Sequence, residues 1–222
     1  MALTWQANLF GFDTPEPDVS FTQCVRTELG GDAWLDHAPA WLAGSDTLFA
    51  ELVEIAPWRQ RTRHMYENIV DEPRLTAWWG AKEGDLSLPR VVVEIRELLS
   101  ERYGVRFDSV GCNLYRDGAD SVAWHGDSVR KVMAEPIVAI LSLGEPRKLR
   151  LRPRRGGTSR TYKLGSGDLF VMGGTCQHTW EHCVPKARSA GPRMSVTLRH
   201  SQPPEAQRIT TPATARGRRA RT

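Results

Sequence analysis

The chain has 222 residues and a formal net charge of +4, enough length for one domain with a sizeable core or for two small ones. It has no apolar run as long as a membrane helix needs, and its first residues lack the basic and apolar regions of a signal peptide, so we expect a cytoplasmic protein. Four cysteines without a CxxC pair argue against a zinc knuckle and indicate reduced thiols, although Cys176 and Cys183 stay weak alternative metal ligands.

Two helices are predicted in the first half of the chain. Apolar residues recur at helical spacing over 45–56, and Ser45 or Asp46 is the expected N-cap. The same spacing predicts a helix over 89–103, with Gly104 as its C-cap. We therefore expect the first hundred residues to be helical with irregular loops.

After this point the pattern changes to alternation or to short apolar runs separated by turns. The predicted strands are 109–115, 137–143, 148–152, 160–164, 168–172 and 193–200. Strands at such short spacing are typical of a sandwich or jelly roll. The fold class expected is therefore α+β, with a jelly roll buttressed on one sheet by the N-terminal helices.

A histidine and a carboxylate lie two positions apart in AWHGDSVR, where His125 and Asp127 would point the same way from extended backbone. One nitrogen and one oxygen donor suit a borderline metal such as Fe(II), and a third ligand from a distant strand would complete a facial set. The segment QHTWEHCVP offers His178 or His182 as that ligand. The pair alone is a weak signal, because HxD also occurs by chance.

A second cluster of polar residues falls on predicted strands. In RMSVTLRH, Arg193 and Arg199 share the face opposite to an apolar one, and Asn113 and Tyr115 share a face of SVGCNLY. Arginines held in a cavity need carboxylate partners, which a small dicarboxylate ligand would supply. The alternative is a strand with both arginines facing solvent.

Taken together, these residues resemble the AlkB family of iron(II)/2-oxoglutarate dioxygenases. The match runs over roughly residues 55–200, as N-x-Y-x-x-G, then H-x-D, a late H, and R-x5-R. In chain order the matching residues are Asn113, Tyr115, Gly118, His125, Asp127, His182, Arg193 and Arg199. The late histidine is His182, because WEHCVP fits the family's W-x-H-x-x-P pattern. Val129 and Ser195 depart from the family, which often has an acid and an asparagine there.

The resemblance implies a double-stranded β-helix, or jelly roll, that uses Fe(II), 2-oxoglutarate and O2. It implies that the metal is held by His125, Asp127 and His182. The expected 2-oxoglutarate contacts are Arg193 at the distal carboxylate, and Arg199, Asn113 and Tyr115 at the other end or along the cavity. The chemistry it implies is hydroxylation of an N-alkyl group on DNA or RNA, such as 1-methyladenine or 3-methylcytosine, with release of formaldehyde.

The segment RLTAWWG lies where the family has a base-gripping hairpin. Trp78 or Trp79 could stack on an extruded base, and we choose Trp78 as the stacking residue and Trp79 as a core residue. Arg74 and Arg63 are the arginines predicted to contact the substrate. A wider phosphate-binding rim would add Arg59, Arg61, Lys148, Arg150, Arg152, Arg154 and Arg155.

These expectations divide the chain at stated boundaries. A dioxygenase domain over 1–202 comprises an N-terminal extension and helix (1–56), a base-recognition hairpin region and helix (57–105), and the catalytic jelly roll (106–202). A basic disordered tail follows over 203–222. We expect a monomer that binds alkylated nucleic acid and no membrane.

Three alternatives to a nucleic-acid demethylase stay open at this stage. A 2-oxoglutarate dioxygenase could act on a protein or a small molecule, a non-enzymatic module could use the basic residues to bind nucleic acid, and a zinc hydrolase could use the histidines and cysteines.

Overall fold

The computed structural model describes residues 13–65, 68–79, 88–131 and 133–200, without the side chains of 63–65, 68–69 and 130. The predicted basic tail therefore lies outside the described residues. The helices are α1 (Ser45–Ile55), α2 (Arg90–Tyr103) and α3 (Cys176–Thr179), and a 3-10 turn spans Ser128–Lys131. The strands are β1 (Glu16–Pro17), β2 (Val25–Gly30), β3 (Ala33–Ala38), β4 (Leu42–Ala43), β5 (Arg59–Met65), β6 (Asn68–Trp79), β7 (Ser109–Tyr115), β8 (Val122–His125), β9 (Val138–Gly144), β10 (Arg147–Pro153), β11 (Arg160–Leu164), β12 (Leu169–Gly174), β13 (Trp180–Val184) and β14 (Arg193–Arg199).

Two antiparallel sheets form the body of the protein. The large sheet has the strand order β2-β3-β12-β9-β14-β7-β6-β5, and the small sheet has the order β11-β10-β13-β8. A short pair, β1 and β4, stands apart from both. This predominance of antiparallel sheet, with few helices, is consistent with the predicted jelly roll.

The large sheet separates two apolar cores, because side chains alternate between its faces. One core joins one face of the sheet to buried residues of both long helices, such as Leu52 of α1 and Ile95 of α2. The other lies between the sheets, where Phe170 of β12 and Leu151 of β10 belong to the same cluster. The space between the sheets is therefore reached from β7, β9, β12 and β14 on one side and from the small sheet on the other.

Strand β14 shows how the alternation assigns each residue to a face. Met194, Val196 and Leu198 belong to the core on the helix side. The intervening polar residues, among them Arg193 and Arg199, line a cavity between the sheets. The strand predicted from alternation is thus confirmed, and both arginines face inward, not toward bulk solvent.

The expectation of a helical first hundred residues was wrong in part, because β2, β3, β5 and β6 extend the large sheet at both ends. Strands β2 and β5 are its edge strands and carry mostly exposed side chains where these are described, so they lack an apolar alternation. Strand β3 is buried on both sides and contains Asp36, a polar residue at a core position. Its carboxylate is satisfied by Arg26 and by the Tyr103 hydroxyl.

The ends of the helices agree with the sequence at one cap and differ at another. Gly104 follows α2 in the left-handed conformation (φ 64°), as predicted. The expected cap of α1 was wrong: Gly44 (φ 60°) takes the N-cap position, and no side chain caps the helix. Ser45 and Asp46 lie inside the helix and bond to the Ser166 hydroxyl instead. No helix in the described ranges is long and apolar enough to cross a membrane.

Asp168 ties the turn before β12 to the N-terminal part of the chain. Its carboxylate accepts hydrogen bonds from the backbone N–H groups of Ala40 and Gly165, both at 2.9 Å, and lies 3.3 Å from His37 Nε2. Burial alone would raise the pKa of this carboxyl, but the hydrogen bonds from these groups outweigh burial and lower it. The carboxylate therefore stabilises the fold above the ordinary carboxyl pKa of about 3.9, and this contribution is lost as the pH falls through the lower folded value.

We expect Asp168→Asn to lower the free energy of unfolding at neutral pH by about 2 kcal/mol, because the charge-assisted hydrogen bonds from the backbone N–H groups of Ala40 and Gly165 are lost. The difference from wild type should shrink on acidification, when the wild-type carboxyl protonates. Urea unfolding at neutral and acidic pH measures both effects. Exposed Glu135 provides the control, Glu135→Gln, which should change little. An equal deficit at both pH values would contradict this role for the charge.

Candidate metal centre and adjoining cavity

A cavity of about 920 Å³ lies between the two sheets and extends to the β5–β6 hairpin. Its walls include residues of β6, β7 and β14 from the large sheet and of β8 and β13 from the small sheet. Every predicted site residue with a described side chain lines this cavity, so the structure places the three groups of predicted residues in one space.

Three potential metal donors converge at one end of the cavity. His125 ends β8, Asp127 follows two residues later, and His182 on β13 is the direct cross-strand partner of His125. The imidazole ring centroids are 4.3 Å apart, and His182 Nε2 lies 3.6 Å from Asp127 Oδ2. One ligand atom from each residue lies within 4.8 Å of the others. Antiparallel pairing of β8 with β13 thus joins residues that are far apart in sequence.

Local hydrogen bonds orient two of these donors. The Nδ1–H of His125 donates to the carbonyl oxygen of Ala123 at 2.9 Å, which leaves its Nε2 lone pair available. The backbone N–H of Asp127 donates to Gln177 Oε1 at 2.9 Å, and Gln177 is itself buried. The loop between β8 and the 3-10 turn is therefore anchored from the helical turn α3 that precedes β13.

The protonation states at this cluster suit a cation. Burial raises the pKa of Asp127, but the positive charge of Arg199 and the nearby imidazoles outweigh it and lower that pKa to about 2. Burial, together with His125, lowers the pKa of His182 to about 3 against the opposing effect of Asp127. At neutral pH the cluster therefore offers a carboxylate and a neutral imidazole, the forms in which these groups bind metals.

The donor set fits non-haem iron. Two imidazole nitrogens and one carboxylate oxygen on one side of an open cavity are the ligand type and geometry of a facial Fe(II) site. The walls beyond the three donors leave room for further ligands of the metal within the same cavity.

The other candidate ligands do not join this cluster. His178 Nε2 lies 2.9 Å from the carbonyl oxygen of Met133, so this histidine makes a loop hydrogen bond. Among the described residues, Cys176 and Cys183 fall outside the set of converging donors. Burial raises the pKa of both thiols, that of Cys176 to about 12 with a contribution from Asp127, which disfavours the thiolate form that binds metals.

A buried cation, Arg193, forms part of the cavity wall. Arg193 is only 1% exposed, its Nε donates to the Ser142 hydroxyl at 3.3 Å, and its guanidinium lies 5.2 Å from the Tyr115 ring centroid. Within the described part of the chain no carboxylate forms an ion pair with it. Burial lowers the pKa of Arg193, as expected for a cation removed from water. An anionic ligand in the cavity would supply the missing countercharge.

Asn113 connects this wall to the hairpin. Its Nδ2 lies 3.3 Å from the Ser195 hydroxyl, and its Oδ1 accepts a hydrogen bond from Arg74 Nε at 3.0 Å. Arg74 also pairs with Glu72 at 2.9 Å. The departure from the family at Ser195 thus leaves a hydroxyl that still bonds to Asn113.

Arg199 lies between the metal donors and the hairpin. Its Nε and one terminal nitrogen contact Asp127 Oδ1 at 2.7 and 2.6 Å, and its guanidinium lies 5.5 Å from the Trp78 ring centroid. Sequence reasoning assigned Arg199 to the co-substrate or the cavity wall. It lines the cavity, and in this structure its partner is the carboxylate of the metal-donor cluster.

The two tryptophans of the hairpin differ in exposure. Trp79 is 4% exposed and belongs to the helix-side core, whereas Trp78 is 44% exposed and lines the cavity. Trp78 packs closely against β7 because Gly111 has no side chain: a Cβ there would come within 2.8 Å of the indole. Arg63 lies on β5, but its side chain is outside the described residues.

Sequence reasoning missed three residues that contribute to the site: Gly111 under the indole, Gln177 behind Asp127, and Trp124 at the cavity edge. A glycine within a strand that otherwise fits a β pattern is a signal of close approach and could have pointed to Gly111. No local pattern identifies Gln177, whose partner is 50 residues away.

Comparison with known proteins identifies the family of the chain. The sequence profile of the 2OG-Fe(II) oxygenase superfamily matches residues 43–210. "Alpha-ketoglutarate-dependent dioxygenase alkB homolog 3" of Bos taurus is 34% identical over 183 residues, which cover 73% of this chain and 63% of that protein. "DNA oxidative demethylase ALKBH2" of Arabidopsis thaliana is 30% identical over 133 residues, covering 47% of this chain and 42% of that protein.

A solved structure supports the fold. "The structure of OsALKBH1" superposes with a TM-score of 0.54 at 14% identity, covering 79% of this chain and 100% of that chain. At this identity the likeness concerns the fold alone, whereas the profile and the alkB homologues concern the sequence. The match to a profile over most of the chain, with the donor cluster in place, leads to one conclusion: the chain belongs to the 2OG-Fe(II) oxygenase superfamily and, within it, to the AlkB family of iron(II)/2-oxoglutarate-dependent dioxygenases.

Proposed function

We propose that the protein is an oxidative demethylase that removes N-alkyl groups, such as those of 1-methyladenine and 3-methylcytosine, from DNA or RNA. The observation that carries this proposal is the convergence, in one cavity, of the His125–Asp127–His182 cluster, the unpaired cation Arg193 and the exposed indole of Trp78. The name of the Arabidopsis relative, a DNA oxidative demethylase, points the same way, and the bovine relative is named an alpha-ketoglutarate-dependent dioxygenase.

In this proposal the protein's side chains divide the work between the two ends of the cavity. His125, Asp127 and His182 hold the iron, and Arg193 pairs with the distal carboxylate of 2-oxoglutarate. Asn113, Tyr115 and Arg199 complete the wall around the co-substrate. The bound iron and 2-oxoglutarate supply O2-dependent hydroxylation of the N-alkyl carbon with decarboxylation of the co-substrate to succinate, after which the group leaves as formaldehyde.

Trp78 holds the base, with Arg74 and Arg63 at the substrate. A base must leave its stack to enter a cavity of this kind. The exposed indole offers it an aromatic face, and Arg199 lies between that indole and Asp127. A base stacked on Trp78 is therefore positioned beside the metal donors. Arg74 places a second cation at the hairpin end of the same wall.

Further expectations of the sequence stay proposals. We propose that the helices buttress the large sheet, which the shared helix-side core supports. The domain boundaries given above remain part of this proposal. A cytoplasmic setting is supported by the four cysteines, all of which are free thiols. We also propose a monomer, which light scattering on the full chain tests.

We expect His125→Ala, Asp127→Ala and His182→Ala each to lower formaldehyde release from methylated oligonucleotides by a hundredfold or more, because the metal contributes several kcal/mol to such reactions. The measurement is formaldehyde release that depends on both Fe(II) and 2-oxoglutarate. His178→Ala is the matched control and should retain activity, since this histidine bonds to Met133 outside the cluster. Activity that survives loss of Asp127 and needs no 2-oxoglutarate would contradict the proposal, as would succinate release stimulated only by peptides.

We expect Arg193→Gln to raise the KM for 2-oxoglutarate roughly tenfold to a hundredfold, since a charge-assisted hydrogen bond contributes about 1.5–3 kcal/mol. The change should leave the affinity for the oligonucleotide unaltered, which is the internal control. Because the wild-type cation is buried without a carboxylate, the thermal midpoint of the co-substrate-free variant should not fall. An unchanged KM would remove Arg193 from the co-substrate site.

We expect Trp78→Ala to raise the Kd for a methylated oligonucleotide about fivefold to a hundredfold, because stacking contributes about 1–3 kcal/mol per base. Trp78→Phe should restore most of the affinity by replacing the aromatic face. Fluorescence anisotropy measures both, with the KM for 2-oxoglutarate as a parameter that stays constant. If the alanine variant binds the methylated and unmethylated strands as wild type does, Trp78 does not hold the base.

A further inference from the structure

The solvent face of the small sheet carries a cluster of cations. On β10, Lys148, Arg150 and Arg152 alternate with the buried residues of the inner core and are exposed. Lys163 of β11 is exposed and lies directly opposite Lys148. We call the surface formed by these four side chains and Trp124 of β8 the basic face.

The cross-strand pairing on this face is electrostatically unfavourable. Residues directly opposite on antiparallel strands have Cβ atoms about 5 Å apart, and like charges there destabilise a sheet. The pair Lys148–Lys163 has this arrangement, and Arg150 is two residues from Lys148 on the same face. An anion bound across these side chains would convert the repulsion into attraction.

The cations of this region differ in whether the protein already neutralises them. Arg152 and Arg154 both pair with Glu181, at 2.6 and 3.5 Å. In the described part of the chain, no carboxylate forms an ion pair with Lys148, Arg150 or Lys163. Three cations of the basic face are therefore available to an external partner.

Arg147, the first basic residue of β10, does not belong to the basic face. It is buried and donates hydrogen bonds to the carbonyl oxygens of Asp117, Asp120 and Pro185 at 2.8–2.9 Å. Of the seven basic residues between Arg147 and Arg160, Arg147 therefore stabilises the fold, whereas those of the basic face are exposed at the surface.

Trp124 connects the basic face to the cavity. The guanidinium carbons of Arg152 and Arg150 lie 4.2 and 5.6 Å from its ring centroid, so the indole fixes where two of the cations lie. Because β8 is the edge strand of the small sheet, the cavity wall extends past it and includes Trp124 and Arg150. The basic face therefore begins at the mouth of the cavity, and His125 lies at the inner side of the same strand.

From these observations we propose that the basic face binds the phosphodiester backbone of the nucleic-acid strand whose modified base enters the cavity. The partner is identified by charge complementarity and by continuity of the face with the cavity mouth, and this inference rests on the proposed function. Lys148, Arg150 and Lys163 contact phosphates next to the extruded nucleotide. Trp124 holds Arg150 in place at the edge of the cavity.

The test compares the full chain with Lys148→Gln/Arg150→Gln, which removes two positive charges from the basic face. The probe is a short unmodified single-stranded oligonucleotide, in DNA and RNA forms, and the readout is its Kd by fluorescence anisotropy over a salt series. Each phosphate contact contributes about 0.7 to the slope of log K against log salt for single strands. We expect the slope to become shallower by about 1.4 and binding at 0.1 M salt to weaken roughly tenfold or more.

The control variant removes the same charge from the other side of the large sheet. Arg90 begins α2 and Arg106 follows it, and both are exposed. Arg90→Gln/Arg106→Gln should leave the slope at the wild-type value. The same loss in both variants, or no loss in either, would overturn the proposal. A lower Kd for polyglutamate than for either oligonucleotide would also overturn the proposal, since the basic face would then bind an acidic protein.

Thermal unfolding provides a second readout of the same arrangement. Removing one lysine of the opposed pair relieves repulsion, so Lys148→Gln should leave the midpoint equal to that of wild type or higher. A lower midpoint would show that Lys148 stabilises the fold and would contradict the repulsion on which the inference depends.

Failure of this inference can be told from failure of the proposed function. Wild type that releases formaldehyde from methylated strands, with a basic-face variant that binds as wild type does, overturns the inference alone. Salt-dependent binding through the basic face without any demethylation removes the demethylase and leaves the basic face only as a nucleic-acid-binding surface. The DNA and RNA probes together report which backbone the face prefers.

Discussion

The site depends on keeping one carboxylate ionised between two packed sheets. Asp127 is buried, and an isolated charge there would cost several kcal/mol. Arg199 offsets that cost through contacts of 2.6 and 2.7 Å to one carboxylate oxygen, and the imidazole of His182 lies near the other. The two oxygens therefore have separate partners, and one of them remains directed toward the imidazole cluster.

This arrangement places constraints on three separate parts of the fold. Strand β14 must present its polar face to the cavity, since a shift of one residue would move Arg199 to the helix-side core. Strands β8 and β13 must pair so that His125 and His182 lie opposite each other. The loop that contains Asp127 must return to the cavity, which its backbone hydrogen bond to Gln177 secures.

The strands and the faces of their side chains could be predicted wherever the sequence alternates between apolar and polar residues. RMSVTLR alternates cleanly, so the strand and the shared face of its two arginines follow from period two, although the alternation alone left open whether that face meets solvent. The strand SVGCNLY was predicted in the same way. The edge strands β2 and β5 were missed because their side chains are mostly exposed where described, so their sequences show no apolar alternation. The order of the site residues along the chain could be predicted, but the Arg199–Asp127 contact could not. The two residues are 72 positions apart, and their contact depends on how the loop with Asp127 folds back toward β14.

The position of the β5–β6 hairpin at the end of the large sheet has a consequence for how proteins of this architecture can diversify. The hairpin is joined to the rest of the sheet by a single ladder, between β6 and β7, and β5 pairs only with β6 among the described strands. The donor cluster, by contrast, is built from β8 and β13 of the small sheet and from the loop after β8. Replacing β5 with a strand of another length or composition would leave the donor cluster undisturbed. Substrate specificity can therefore change in evolution through this hairpin alone.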